Sequence, residues 1–308
     1  MRRTALIATV VFGVVLIAIG TGLFLAWPFS GDEVLVAVPQ DASREVLVAQ
    51  VSLDERLGRH IEDFSLNDLY GQPQRLNDFA DRKLVVVVFL GVDCPVVQQY
   101  VPRLIGLAEK YKEQVAFIGI DANQQDSLIE LHEFAESHDL TFPLLKDPGT
   151  RVADQFMAER TPEVFVLDPE RHVRYWGRID DEFGVKQGIG YQRLAAVRPD
   201  LELAIQELLE GQEVSQPQTE AWGCHIGRIQ ESDPESRVTW SKYIAPIFQK
   251  HCQACHRPGQ IAPFSLLTYD DVHGWEPMIA EVVAEGRMPP WHASPEYGEF
   301  SNNPSLSK

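Results

Sequence analysis

Residues 84–90 read LVVVVFL, an unbroken apolar run rich in β-branched side chains. Such a run has no polar face to turn to water. It is the pattern of a strand buried on both sides, at the centre of a parallel or mixed sheet. The rest of the middle of the chain is arranged around it. Gly91-Val92-Asp93-Cys94-Pro95 ends the run, and Val97, Val101, Leu104, Ala108 and Tyr111 follow at helical spacing. Pro102 lies within that helix and predicts a kink, because its ring excludes the carbonyl four residues back. A strand over 115–120, a helix over 126–137, a strand over 142–146 and a helix over 152–158 come next. Two strands, 163–168 and 173–177, flank a turn at Pro169-Glu170, and Asp200 is placed to cap a last helix through Leu209. Upstream, 61–66 alternates and 69–73 carries turn residues. This order predicts an α/β sandwich with helices on both faces of the sheet.

The chain has 308 residues, enough for about two domains, and a formal charge of −18. That charge argues against nucleic-acid binding and against an electrostatic grip on anionic lipid. Arg2 and Arg3 precede an apolar run over 4–28, long enough to cross a bilayer, and Asp32-Glu33 follows it. The charge bias predicts a single-pass anchor, residues 1–30, in a bacterial inner membrane, with the remainder on the periplasmic side. A cleaved signal peptide is the second reading. Residues 31–55 are expected to be a tether, 56–211 the α/β domain, 212–237 a polar linker containing Cys224, and 238–308 a second domain.

Within that second domain His251-Cys252-Gln253-Ala254-Cys255-His256 spells C-x-x-C-H, the attachment signature of a c-type haem. Two thiols one turn apart can each form a thioether to one porphyrin edge, and His256 then lies beneath the iron as proximal ligand. A zinc site would need a second ligand pair at matching spacing, and none is present. One covalent haem c is therefore expected on Cys252, Cys255 and His256. An amphipathic helix over 243–248 leads into the motif, and another helix is expected over 270–285. The stretches VTWSKYIAPIFQKHCQACHRPGQIAPFSL and RMPPWH resemble parts of c-type cytochrome domains. That resemblance implies an all-α domain and Met288 as distal ligand, with His273, Met278 and His292 as alternatives. No closing helix follows before Lys308, so the domain is expected to be incomplete.

Cys94 opens a helix directly after the most hydrophobic strand, where unpaired N–H groups and the helix dipole favour a thiolate, although Asp93 opposes this. Arg160-Thr161-Pro162 precedes another strand, and its proline is placed for a cis turn beside the thiol. The segments FSLNDLYGQPQRLNDF, VVVVFLGVDCP and TPEVFVLD resemble the peroxiredoxin-like (alkyl hydroperoxide reductase/thiol-specific antioxidant) redoxins of the thioredoxin fold. The resemblance implies a thioredoxin-like sandwich, Cys94 as the reactive thiol, and Thr161 and Pro162 as the loop lining it. Two departures stand out. Val87 and Gly91 occupy the positions of the proline and threonine that support peroxide reduction, and Val97 replaces the second cysteine of C-x-x-C. The tail Thr219-Glu220-Ala221-Trp222-Gly223-Cys224-His225-Ile226 resembles one that follows such domains, and implies Cys224 as redox partner of Cys94. The combined expectation is an anchored extracytoplasmic thiol oxidoreductase with a haem c electron-transfer domain and extracytoplasmic redox partners. The alternatives are a redox-inert scaffold serving electron transfer or metal delivery, and a copper or zinc site at Cys94, Cys224 and His225.

Overall fold

The structure, a computed structural model of the chain, describes residues 55–306 apart from 187–188, 229–232, 292, 294 and 299. The expected anchor, most of the tether and His292 lie outside the described residues. Among the described residues no helix is long and apolar enough to cross a membrane.

In chain order the first elements are β1 (Ser65–Asp68) and β2 (Pro73–Arg75), a hairpin turned at Gly71, whose φ of +76° suits glycine. The strand β3 (Leu84–Leu90) follows, then α1 (Pro95–Tyr111), β4 (Val115–Asp121), α2 (Leu128–Ser137), β5 (Leu144–Lys146) and α3 (Arg151–Phe156). Next come the short β6 (Arg160–Thr161), then β7 (Glu163–Leu167), β8 (Val173–Gly177), β9 (Phe183–Lys186) and β10 (Ile189–Gln192). The helix α4 (Asp200–Leu209) and the short strand β11 (Cys224–His225) complete this half. Seven strands form one mixed sheet in the order β2-β1-β5-β4-β3-β7-β8. The strand β3 is parallel to β4 and antiparallel to β7, so LVVVVFL is central as its composition requires, and every residue of it is buried. This is the mixed α/β sheet of the thioredoxin-like fold.

Strand periodicity divides the apolar run between two cores. Val86, Val88 and Leu90 pack with Val97, Val101 and Leu104 of α1 and with Ala204 and Ile205 of α4. Val85, Val87 and Phe89 pack with Val152, Ala153 and Phe156 of α3. Phe89, Phe156 and Phe165 form an edge-on triad with ring centroids 5.0 to 5.8 Å apart. Each such fully buried ring is worth about 2–3 kcal/mol of transfer free energy.

Several element boundaries differ from expectation. The helix expected from 126 starts at Leu128, because Ser127 caps it in a reciprocal box with Glu130 and leaves Asp126 outside. Asp200 does not cap α4. It is the first helical residue, with Pro199 before it, and its carboxylate is held by Arg178 at 2.7 Å and Arg198 at 2.6 Å. The hairpin β9–β10 was not foreseen.

All described residues fall within one compact unit, Ser52–Lys308. The segment expected as a linker is laid back on the sheet: the Trp176 N–H donates to the Pro217 carbonyl at 3.0 Å, and the Thr219 N–H to Trp176 at 3.1 Å. The regular elements described in the C-terminal part are short helices. A wide π turn (Trp240–Ile244) leads into α5 (Ala245–His251), followed by α6 (Tyr269–Val272) and α7 (Glu276–Ala284). The helix expected over 270–285 is thus two helices, broken at Gly274, whose φ of +95° no side chain adopts readily. Phe248, Leu266 and Val272 make the small core of this part.

Candidate functional site: two buried thiols and a C-terminal C-x-x-C-H motif

Cys94 is the N-cap of α1, with Pro95 at the first helical position. Its thiol donates to the carbonyl of Thr161 at 3.1 Å. The Thr161–Pro162 peptide is cis. The strand β11 pairs antiparallel with β6, setting Cys224 opposite Thr161 and His225 opposite Arg160. That pairing sets Cys224 beside Cys94, near enough for each thiol to shift the acidity of the other. Both are free thiols, 1% and 7% exposed, so they meet inside the protein rather than at its surface.

Each residue singled out in the tail has a physical task. Thr219 anchors it: its hydroxyl bonds the Tyr175 hydroxyl at 2.8 Å and accepts the Arg178 N–H at 3.0 Å. Gly223 lets the chain pass against Thr161, because a Cβ there would overlap the Thr161 carbonyl. Ile226 is buried in the core beneath the sheet. The tail is thereby held at both ends with Cys224 in the middle.

Burial pushes the Cys94 thiol up. Hydrogen bonds from the Cys224 thiol, from the backbone at Val97 and Cys224, and from Thr161 outweigh burial and bring it down to about 7. Cys224 moves the opposite way: its bond to Cys94, burial and the charge of Cys94 push it well above the ordinary thiol range. The two shifts are opposite in sign and make Cys94 the more acidic thiol of the pair.

A buried polar cluster beside this pair was not foreseen. Asp126 accepts the Val92 N–H at 3.0 Å and an Asn123 amide N–H at 3.0 Å. Asn123 also donates to Asp121 at 2.9 Å and to the Leu90 carbonyl at 3.1 Å. Lys146 spans the cluster, donating to the carbonyls of Asn123 at 2.7 Å and Asp126 at 2.6 Å and pairing with Asp121. Burial, then the neighbouring Asp121, pushes the Asp126 carboxyl up to about 9. Burial, Asp126 and Glu130 push Asp93 up to about 6. The available sequence signal was the polar run Asp121-Ala122-Asn123-Gln124-Gln125-Asp126 at the carboxyl end of a fully buried strand, where α/β sheets carry their sites. Gly91 separates this cluster from the thiols: a Cβ there would lie 2.6 Å from the Asn123 amide nitrogen and 3.3 Å from the Thr161 hydroxyl.

Among the described residues no group of three or more His, Cys, Asp and Glu side chains is arranged to hold a metal ion. The expectation of a copper or zinc site at Cys94, Cys224 and His225 is corrected accordingly. The His225 Nε2 is instead engaged by Glu281 at 2.7 Å.

In the C-terminal part, Cys252 is half-buried and Cys255 exposed, and both are free. The N–H groups of Cys255 and His256 donate to the Cys252 carbonyl at 3.1 and 3.0 Å, curling C-x-x-C-H into one turn. The His256 Nδ1 bonds the Phe264 carbonyl at 3.2 Å. A carbonyl only accepts, so Nδ1 carries the proton and the Nε2 lone pair is left for a metal, the usual arrangement of a ligating histidine. Burial also lowers the His256 pKa and favours the neutral ring. These residues fit a covalently held haem. Of the distal candidates, Met288 is 41% exposed and follows Gly286 (φ +71°), whereas Met278 packs against the core that holds the thiols. The His273 Nδ1 is bonded to Glu276 at 2.9 Å. Trp275 joins that same core, stacks on Phe264 at 4.3 Å, and Phe264 in turn faces the His256 ring at 5.0 Å.

Residues 57–176 match the AhpC/TSA family, a match that ends before the tail bearing Cys224. The thiol-disulfide oxidoreductase ResA of Bacillus cereus is 29% identical over 119 residues, 38% of this chain and 67% of that protein. ResA of Geobacillus kaustophilus is 30% identical over 118 residues, 38% of this chain and 67% of that protein. A solved hypothetical protein of Sinorhizobium meliloti superposes with a TM-score of 0.51 at 28% identity, covering 57% of this chain and 96% of that one. The fold, the strand-end cysteine facing a cis-proline loop and these relatives agree: the chain belongs to the AhpC/TSA family of thioredoxin-fold redoxins, among homologues that are thiol-disulfide oxidoreductases.

Proposed function

We propose that this chain is a thiol-disulfide oxidoreductase in which Cys94 is the attacking thiol and Cys224 the resolving one. The observation that carries the reading is the β6–β11 pairing that sets Cys224 opposite Thr161, whose carbonyl accepts the Cys94 thiol, with Cys94 the more acidic of the two. In the reducing direction the Cys94 thiolate attacks one sulfur of a substrate disulfide. An S–S bond forms to Cys94, and the other substrate sulfur leaves as a thiolate that takes up a proton. The Cys224 thiol gives up its proton and attacks the Cys94 sulfur, forming the Cys94–Cys224 disulfide and releasing the second substrate thiolate. The substrate gains two electrons and the protein dithiol loses two. Peroxide reduction is the weaker assignment, since Val87 and Gly91 stand where that chemistry needs proline and a hydroxyl.

The wider reading places this chemistry outside the cytoplasmic membrane, with residues 1–30 as anchor. Support comes from the charge bias around the apolar run and from C-x-x-C-H, whose loading is extracytoplasmic in bacteria. Cys252, Cys255 and His256 would hold the haem, with Met288 as its distal ligand. Bound there, haem c supplies one-electron transfer at a potential set by its axial ligands.

Burial of both thiols favours a second reading, a redox-inert scaffold for the C-terminal part. Turnover of a small disulfide by the full chain and by Cys94→Ser separates the two. Loss of turnover in the variant supports the oxidoreductase, and equal turnover supports the scaffold.

A further inference from the structure

The two strands of the thiol bridge are tied to the C-terminal helix α7 by a single carboxylate. Glu281 Oε2 accepts Arg160 Nη2 and the His225 ring Nε2, each at 2.7 Å. Its other oxygen accepts from Arg287, which also donates to Glu285 at 2.6 Å. Arg160 Nη1 donates to the Gly223 carbonyl at 3.0 Å. Arg160 directly precedes Thr161, and His225 directly follows Cys224. A residue far along the chain therefore grips both neighbours of the thiol contact.

The placement has an electrostatic consequence. A guanidinium beside a thiol favours the thiolate. Arg160 acts on Cys224 in that sense, while Cys94 and Asp126 oppose it. Left alone, Arg160 would draw negative charge towards Cys224 and away from the helix N-terminus at Cys94. Glu281 offsets it at hydrogen-bond distance. Burial opposes ionisation of Glu281, but its bonds to Arg160 and His225 hold it at about 2, so it is charged wherever the thiols react.

We propose that Glu281 is a positioning residue for the thiol pair. By holding Arg160 and His225 on its own carboxylate, it keeps Cys224 the protonated partner and Cys94 the attacking thiolate. The C-terminal helix thereby sets which sulfur a substrate meets first. This rests on the thiol-couple reading above and is independent of haem.

The test is alkylation of the reduced full chain with iodoacetamide between pH 6 and 9, each cysteine followed separately by peptide mass. In wild type Cys94 reacts ahead of Cys224. In Glu281→Gln the ratio of Cys94 to Cys224 modification should fall about tenfold, the effect of about one pKa unit moved between the two sulfurs, and the Cys94 midpoint should rise. In Arg160→Gln/Glu281→Gln the ratio should return towards wild type, because the uncompensated cation is gone. An unchanged ratio in Glu281→Gln overturns the proposal. So does an equal fall in both variants, which would mean that the tail has merely become exposed. Oxidised wild type is the control: a normal Cys94–Cys224 disulfide with an unchanged ratio defeats the Glu281 role alone, and no such disulfide defeats the thiol couple and this proposal together.

Discussion

Cys224 stands opposite Thr161 in a two-residue antiparallel pairing, and the Thr161 carbonyl accepts the Cys94 thiol at 3.1 Å. One residue thus accepts one thiol and pairs with the backbone of the residue that carries the other. The redoxin domain lacks a second cysteine within the first turn of α1, where Val97 lies buried instead, and a tail paired with β6 beside the cis-proline brings one into the same core.

That tail depends on a glycine. Gly223→Ala sets a methyl group against the Thr161 carbonyl and forces the bridge apart. Urea unfolding should show a loss of about 1–3 kcal/mol, the usual cost of overpacking. Disulfide formation between Cys94 and Cys224 should slow more than tenfold. Gly106→Ala is the contrast: it lies exposed within α1 with open space around it, and should stabilise by about 0.5–1 kcal/mol.

The buried carboxyls make stability depend on pH in a stated direction. Burial and Asp121 hold the folded Asp126 carboxyl at about 9, while the unfolded chain titrates near the ordinary aspartate value, about 4. Between those values the folded state binds more protons than the unfolded one, so this group makes stability fall as pH rises. Asp93, at about 6, adds the same sign over a narrower window. Asp126→Asn mimics the protonated acid. Urea unfolding at pH 5 and pH 8 should show a decline smaller than that of wild type by up to about 4 kcal/mol, one proton over three pH units.

The aromatic triad beneath the sheet is structural. Phe156→Ala removes a fully buried ring touching Phe89 and Phe165 and should cost about 3–5 kcal/mol of unfolding free energy. At a temperature where the variant remains folded, the relative alkylation of Cys94 and Cys224 should match wild type.

Expression in a host that attaches haem c tests the C-terminal motif. Wild type should gain the mass of one haem, and Cys252→Ala/Cys255→Ala should gain none. Met288→Ala should lose the methionine–iron signature from the oxidised spectrum while keeping the covalent haem. Its retention would move the distal ligand elsewhere.

The sequence exposed the centre of this fold because the centre is where burial dominates. LVVVVFL had one compatible environment, and β3 occupies it. Cys94, Thr161 and Pro162 were legible because strand ends and prolines mark positions by local chemistry. What stayed hidden is non-local. Residues 212–237 read as a linker by composition, since nothing in their own polarity says that Thr219 will bond Tyr175 or that Gly223 will pass over Thr161. Asp126 read as the start of a helix because its burial is imposed by Asn123, Lys146 and the Val92 amide, which the fold brings together. Glu281 carries no local signal of its role in the sequence. Only the docking of α7 against β6 and β11 gives it Arg160 and His225.

The thiol couple itself is the claim on which the functional account stands. The direct measurement is oxidation of the full chain by a mild disulfide reagent, followed by non-reducing peptide mapping and thiol counting. A Cys94–Cys224 linkage, formed with loss of two thiols and reversed by dithiothreitol, is the predicted result. Recovery of both cysteines as separate, unlinked peptides under conditions that oxidise an exposed dithiol would contradict it.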